Sequence, residues 1–197
     1  TWSGLGGHKP TTQPLLADLD LDGDAEVVIA AIDEVSEDPV VVALGLSNSG
    51  ATALWDATLD KGSHPSDPAF AQTDETTGYV LLTTTQHNSG AMWVWKLDST
   101  SGDSSWDGLS LTNSDGDTDA PHVRLPGPVI ANLDDDSAPE MVLTIPTDID
   151  GYSSADGAEF IGMEIGNGDE LWSFEASNGY ADAPPVVIDT DGDGEHD

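Results

Sequence analysis

The stretch Pro14-Leu-Leu-Ala-Asp18-Leu-Asp-Leu-Asp-Gly-Asp-Ala-Glu26-Val-Val28 places two short apolar runs on either side of an acidic loop. It recurs as 128–142 and again as 185–197, and the loops begin at positions 18, 132 and 189, which are 114 and 57 residues apart. Because 114 is twice 57, the chain predicts a repeat of 57 residues with a further copy near position 75. The stretch 68–82 lies there, with the apolar frame kept and most of the acids lost.

Short segments rich in Val, Ile and Leu run through the whole chain and are separated by Gly, Asn, Asp, Ser or Pro. No apolar pattern keeps a helical period for more than about two turns, so these segments predict strands joined by turns. The predicted strands include 26–30, 40–44, 79–82, 92–95, 141–143 and 185–188.

Tryptophan follows the same rhythm, since Trp2, Trp55, Trp106 and Trp172 each precede the next proline-led strand. Each repeat then holds about four strands, which is the size of a propeller blade. We therefore predict an all-β fold, a β-propeller-like array of four-stranded blades, with a β-sandwich or β-solenoid as the alternative. The approximate repeats are 14–67, 68–127 and 128–184, with a partial one at 185–197 and the end of a preceding one at 1–13.

The charge balance is extreme, with 38 Asp and Glu against 4 Lys and Arg and a formal net charge of −34. Such a surface repels phosphate, which excludes nucleic acid and anionic membranes as partners. Disorder is the rival interpretation of a highly charged chain, but 37% hydrophobic residues in compact runs favour a folded one. We interpret the acid excess as an adaptation to concentrated salt. The absence of cysteine excludes disulfides and thiolate metal sites.

The loop after each proline-led strand carries oxygen ligands at alternate positions, a spacing that lets a curling loop point them at one centre. Gly23 permits the sharp turn, and a backbone carbonyl near Asp24 can fill a gap. Hard oxygen ligands in a flexible loop suit calcium better than magnesium, which requires a strict octahedron. The predicted metal-binding residues are Asp18, Asp20, Asp22, Asp24 and Glu26; Asn132, Asp134, Asp136, Ala138 and Glu140; and Asp189, Asp191, Asp193, Glu195 and Asp197.

Solvated Asp-Gly turns are the alternative interpretation of these loops in so acidic a chain. The copy that begins at Gln72 offers only Asp74 firmly, so we predict that the 72–80 loop is metal-free. Two more acidic stretches, Asp115-Gly-Asp117-Thr-Asp119 and Asp148-Ile-Asp150, fit no repeat position, and we interpret them as solvated loops rather than cation sites.

The pattern Asp-x-Asp-x-Asp-Gly-x-x-Asp/Glu between short strands resembles the FG-GAP/VCBS repeat family, which includes the calcium-binding blades of integrin α-subunit propellers. The Phe-Gly…Gly-Ala-Pro signature of that family is absent, and the stretch 41–55 is similar to the outer strands of PQQ-type propellers. The resemblance implies calcium as a structural ion at blade loops. It also implies an extracellular or cell-surface location and a role in adhesion or recognition, with other subunits or cell-surface proteins or glycans as partners.

No motif of a catalytic nucleophile, phosphate-binding loop or zinc protease occurs in the sequence. The loop histidines His8, His64 and His122 admit a zinc site, but exposed loop residues are the plainer interpretation. We therefore predict a non-enzymatic module for adhesion, recognition or extracellular assembly. The alternative is a segment of a secreted propeller enzyme, such as a polysaccharide lyase or a quinone-dependent dehydrogenase.

The repeat register also predicts what adjoins the segment. Aligning Trp2 with Trp172 places both ends of the sequence inside a blade. We expect the natural chain to continue at both ends, or another subunit to supply the missing strands by β-addition.

Overall fold

The structure is a computed structural model that describes residues 7–86, 91–111, 125–133, 136, 138–149, 155–177 and 183–188. These residues form strands joined by turns and loops, and none of them lies in a helix. The prediction of an all-β fold is therefore confirmed. The strands form three sheets in which the pairings are antiparallel.

The first sheet begins with two short strands that both pair with the same side of the next long strand. Each later strand then pairs with the one that follows it in the chain. The strands are β1 His8–Pro10, β2 Leu15–Ala17, β3 Glu26–Asp33, β4 Pro39–Ser47 and β5 Gly50–Thr58.

The second and third sheets have the same order, although only one short strand at the start of the third lies among the described residues. The second contains β6 His64–Pro65, β7 Ala69–Gln72, β8 Gly78–Thr85, β9 Met92–Asp98 and β10 Ser104–Leu111. The third contains β11 Val129–Ala131, β12 Glu140–Ile149, β13 Ala155–Glu164 and β14 Glu170–Ser177.

Alternating side chains give each central strand two apolar faces, so that each sheet packs against its neighbours. In β4, Val41 and Ala43 face the second sheet, where they meet Val80 and Leu82. The other face of the second sheet packs on the third, where Leu81, Met92 and Val94 form one cluster with Met141, Leu143 and Ile161. Two continuous cores therefore join the three sheets in chain order, as expected for layers that bury apolar faces against one another.

The two junctions are also tied by hydrogen bonds from side chains to a hairpin of the following sheet. Trp55 of β5 donates from Nε1 to the carbonyl of Ser99 in the β9–β10 turn at 2.8 Å. Lys96 of β9 donates from Nζ to the carbonyl of Ile165 in the β13–β14 turn at 2.7 Å. The ammonium of Lys96 also lies 4.0 Å from the ring centroid of Tyr79, and burial lowers the pKa of Lys96.

Several expectations differ from the structure. The stretch 185–188 forms no strand, and Val186 and Ile188 are exposed there. In the other copies the equivalent stretch is a strand, and it pairs with the strand that follows the acidic loop. After 185–188, the residues that would form this second strand lie outside the described part of the chain. The interpretation of 148–150 as a loop is wrong for its first two residues, because backbone pairing with β13 extends β12 to Ile149.

The sheets also begin earlier than the repeat boundaries placed by sequence. β1 pairs with β3 although 1–13 is assigned above to a preceding repeat, and β6 pairs with β8 although 14–67 is assigned to the first. Across the described residues the three sheets do not close into a ring.

Candidate metal centre

The loop between β2 and β3 curls because two of its residues adopt the left-handed region. Leu21 has a φ of 60° and Gly23 a φ of 99°. Gly adopts this conformation without steric cost, whereas a branched residue such as Leu does so at the expense of strain. The tight curl turns the side chains at alternate positions of the loop toward one side.

The backbone of the curl is held by the first carboxylate. Asp18 accepts hydrogen bonds from the backbone N–H of Asp22 at 3.0 Å and of Gly23 at 2.9 Å. Asp22 in turn accepts one from the N–H of Asp24 at 2.9 Å. Asp18 and Asp22 therefore use some of their oxygen lone pairs to hold the backbone of the loop. Their remaining lone pairs are available to a further partner.

The carboxylate oxygens of Asp18, Asp20 and Asp22 converge. One oxygen from each lies within 4.8 Å of the other two, with Asp18 half-buried and the other two exposed. Among the residues that the structure describes, this is the one group of three or more acidic or histidine side chains so arranged. Three negative charges at this separation repel one another, and a bound cation would offset that repulsion.

Glu26 lies at the far end of the loop with its carboxylate buried, and it accepts a hydrogen bond from the N–H of Leu19 at 2.8 Å. Burial raises the pKa of Glu26, the Leu19 bond lowers it, and the charges of Asp20, Asp22 and Asp18 raise it further. The net shift is upward, so the side chain lies in a field that disfavours its charge. Glu26 is electrostatically part of the same cluster.

The loop is anchored to the first junction between sheets through Leu19, which is buried in the core between the first two sheets. Its carbonyl accepts a hydrogen bond from the Ser99 hydroxyl at 2.6 Å. Ser99 also receives the Trp55 bond and donates its own N–H to Gly78. The acidic loop is therefore joined at Leu19 to a buried network of hydrogen bonds between the first two sheets.

The loop between β11 and β12 repeats the closing contact. Glu140 is fully buried and accepts a hydrogen bond from the N–H of Leu133 at 2.5 Å, as Glu26 does from Leu19. Asn132 donates from its amide to the carbonyl of Asp136, whose carboxylate accepts from the N–H of Ala138 at 2.7 Å. Asp134, which sequence places between them, lies outside the described residues.

The loop between β7 and β8 has a different closing residue. Strand register places Ala71 opposite Tyr79, where Ala17 is opposite Glu26 and Ala131 opposite Glu140. A tyrosine in contact with Lys96 therefore takes the place of a buried glutamate. The five predicted ligands from Asp189 to Asp197 lie outside the described part of the chain, as do Asp115, Asp117 and Asp119.

The histidines do not form a described metal cluster. His8 pairs through Nδ1 with Asp33 at 3.1 Å, and His122 lies outside the described residues. His64 lines a cleft of 780 Å³ between the first two sheets, together with Lys9, Thr11, Ile32, Asp33, Glu34, Glu37 and Ser63. Sequence reasoning missed both this cleft and the role of Lys96, because neither has a local signal.

Comparison with protein-family models, with curated proteins and with solved structures finds no match for this chain. The described part of the chain contains no helix with the length and hydrophobicity that spanning a bilayer requires.

Proposed function

We propose that the chain is a calcium-binding, β-propeller-like repeat module of a secreted or cell-surface protein, serving adhesion, recognition or extracellular assembly in a salt-adapted organism. The observation that carries this proposal is the convergence of the Asp18, Asp20 and Asp22 carboxylates within 4.8 Å. These three residues would hold the ion, with the backbone near Asp24 as a further oxygen donor.

The chemistry of the donors favours calcium. Carboxylates and backbone carbonyls are hard oxygen ligands, and a loop with several of them tolerates the irregular coordination that calcium accepts. Burial is the main cause of the raised pKa of Glu26, and a divalent cation would relieve the smaller contribution from the aspartate charges.

The order of the sheets supports the propeller-like part of the proposal. In each sheet the three long strands form a meander in chain order, and the second sheet packs face to face on both the first and the third. Radial repetition of such sheets produces a propeller. A net charge of −34 supports the salt-adapted part, because so acidic a surface stays hydrated and soluble in concentrated salt.

Isothermal titration calorimetry with calcium, and separately with magnesium, tests the site. We expect calcium to bind and Asp20→Asn/Asp22→Asn to abolish binding at this loop. Asp74→Asn is the matched control, because it removes a carboxylate from the β7–β8 loop and is expected to leave the titration unchanged. A protein whose calcium isotherm is the same with and without the double substitution would contradict the proposal.

A further inference from the structure

The cleft between the first two sheets begins where the apolar core between them ends. Strand register places Lys9 opposite Ile32, so the two side chains share one face of the first sheet. Further back along β3, Val28 and Ala30 lie on the same face and belong to the core against the second sheet. Glu34 follows the end of the strand and also lines the cleft. The face of β3 therefore changes from apolar to charged at the cleft.

The size and lining of the cleft suit a small polar ligand. Its volume of 780 Å³ lies within the range of about 300–1,000 Å³ that is typical of ligand sites. Ser63 and His64 form its wall in the second sheet. None of the described residues that line it is Phe, Tyr or Trp, so a sugar would find no such ring on which to stack. A ligand in this cleft would be held by polar and charged contacts.

Three charged side chains of the cleft have no partner within the described part of the chain. The ammonium of Lys9 and the carboxylates of Glu34 and Glu37 make no hydrogen bond or ion pair there. Asp33 differs, because two N–H groups of its own turn donate to its carboxylate and His8 pairs with it at 3.1 Å. The cleft therefore holds one cation and two carboxylates that remain available to a ligand.

A lysine without a partner is unusual in this chain, which has 4 Lys and Arg against 38 Asp and Glu. Lys61 donates to the carbonyl of Gly108 at 3.3 Å, and Lys96 donates to that of Ile165 at 2.7 Å. Both of these lysines therefore join separate parts of the fold. Lys9 makes no such bond to the described residues and instead lines the cleft.

Glu37 keeps its side chain in a backbone conformation that disfavours one. Its φ is 64°, and its N–H donates to the carbonyl of Asp33 at 3.0 Å. The β9–β10 and β13–β14 turns make the equivalent bond at 2.9 Å, and there the left-handed residue is Gly102 or Gly168. Those glycines also lie against indole rings, whereas Glu37 lines the cleft. Because strained residues cluster at ligand sites, the strain indicates a role for the Glu37 side chain in the cleft.

The charges of the cleft define the class of ligand. The carboxylates and the net charge of −34 repel a simple anion, and Lys9 repels a simple cation. A ligand that carries both charges, with none in total, can satisfy both kinds of group through charge-assisted hydrogen bonds. We infer that the cleft binds a zwitterion, namely an amino acid or short peptide with free ends, with its amino group at Glu34 and Glu37 and its carboxylate at Lys9. This inference goes beyond the proposed function and does not depend on the calcium site.

Isothermal titration calorimetry with tri-alanine tests the inference, at one fixed calcium concentration and in a buffer in which circular dichroism shows a folded chain. Tri-alanine carries the two terminal charges and only small side chains. We expect it to bind, and N-acetyl-tri-alanine and tri-alanine amide each to bind about tenfold more weakly, the loss typical of one hydrogen bond to a charged group. No binding of tri-alanine, or equal affinity for the blocked peptides, would overturn the inference.

Two variants assign the ends of the peptide. Lys9→Gln is expected to weaken the binding of tri-alanine and to leave that of tri-alanine amide unchanged, because the amide has no carboxylate for Lys9 to bind. Glu34→Gln/Glu37→Gln is expected to weaken tri-alanine and to leave N-acetyl-tri-alanine unchanged. Glu75→Gln is the matched control, since Glu75 is an exposed carboxylate of the loop 73–77, outside the cleft. A Lys9→Gln protein that lost affinity for both peptides equally would contradict the assignment.

Glu37→Gly separates binding from stability. Glycine adopts a left-handed φ without steric cost, so we expect this variant to melt at a higher temperature than wild type while it binds tri-alanine more weakly. A loss of binding in a more stable protein could not be attributed to unfolding. A Glu37→Gly protein that bound tri-alanine as wild type does would show that the Glu37 carboxylate does not contact the ligand, against the inference.

Discussion

The loops 18–25 and 73–77 lie at the same place in two successive sheets, yet they differ in how far hydrogen bonds compensate the charge of their carboxylates. In 73–77 the N–H of Thr73 bonds the carbonyl of Thr77 at 3.0 Å, and Thr76 donates twice to Asp74, at 2.8 and 2.9 Å. These donors lower the pKa of Asp74. The shorter loop therefore provides neutral hydrogen-bond donors to its one bonded carboxylate, which needs no cation to offset its charge.

The longer loop contains three converging carboxylates and a buried glutamate, and burial, with a smaller contribution from the three charges, raises the pKa of that glutamate. Its neutral donors are backbone N–H groups that hold the curl, and they do not balance the charge of the whole cluster. The same strand frame can therefore hold a turn that balances its own charge or one whose charge a cation would offset.

Calcium is expected to produce the largest effect. At a free concentration of about 100 times Kd, one site stabilises the folded state by roughly 2.7 kcal/mol, visible as a higher melting temperature. Asp20→Asn/Asp22→Asn is expected to remove that increase, whereas Asp74→Asn retains it. Differential scanning calorimetry with calcium and with a chelator measures both, and an equal increase in the double variant would remove the distinction between the loops.

Several of the long strands were predictable from sequence, because apolar runs such as 40–44 and 141–143 bury both faces and so appear as continuous apolar segments. β13 was not among the runs recognised, since its first half, Ala-Asp-Gly-Ala-Glu, lacks such residues and is held by pairing on both sides. Strand formation there depends on neighbours and not on local propensity.

The candidate site was predictable only in part for the same reason. The spacing of acidic residues at alternate positions predicts the site at Asp18, Asp20 and Asp22. No local pattern in the sequence predicts the buried hydrogen bond from Ser99 to Leu19 or the presence of Tyr79 where the other loops have a glutamate. Both depend on residues that the fold brings together from distant parts of the chain. Sequence periodicity fixes spacing along a strand, whereas contacts between sheets depend on how the sheets pack.

The anchor of the acidic loop gives the next largest effect. Ser99→Ala removes the hydroxyl that donates to the Leu19 carbonyl and leaves a buried acceptor without that donor. We expect a loss of about 1–2 kcal/mol in the free energy of unfolding by urea, together with weaker calcium binding because the loop is less firmly held.

Thr100→Ala is the matched control, since Thr100 is an exposed residue of the same hairpin that donates only to Asp98. It is expected to change both the unfolding free energy and calcium binding less. If the two variants behaved alike, the Ser99–Leu19 bond would not be what connects the acidic loop to the junction of the sheets.

The smallest effect concerns the pH dependence of the calcium-free protein. Burial and then the neighbouring aspartates raise the pKa of Glu26 above 4.5, against the lowering by the Leu19 N–H, so between 4.5 and the raised value the folded state binds more protons than the unfolded one. Stability from this group is therefore lost as pH rises through that window. Glu26→Gln keeps an acceptor for Leu19 and removes the charge. We expect it to stabilise the calcium-free protein above the window and to change its stability less below it, while weakening calcium stabilisation.

Asp74 shows the opposite pH dependence, because the bonds from Thr76 lower its pKa below 3.8 and its contribution to stability is lost as pH falls. Urea unfolding of wild type, Glu26→Gln and Asp74→Asn at several pH values measures how the unfolding free energy of each depends on pH. If the difference in unfolding free energy between Glu26→Gln and wild type grew toward acid pH, the charged carboxylate of Glu26 would be stabilised by its surroundings, against the prediction.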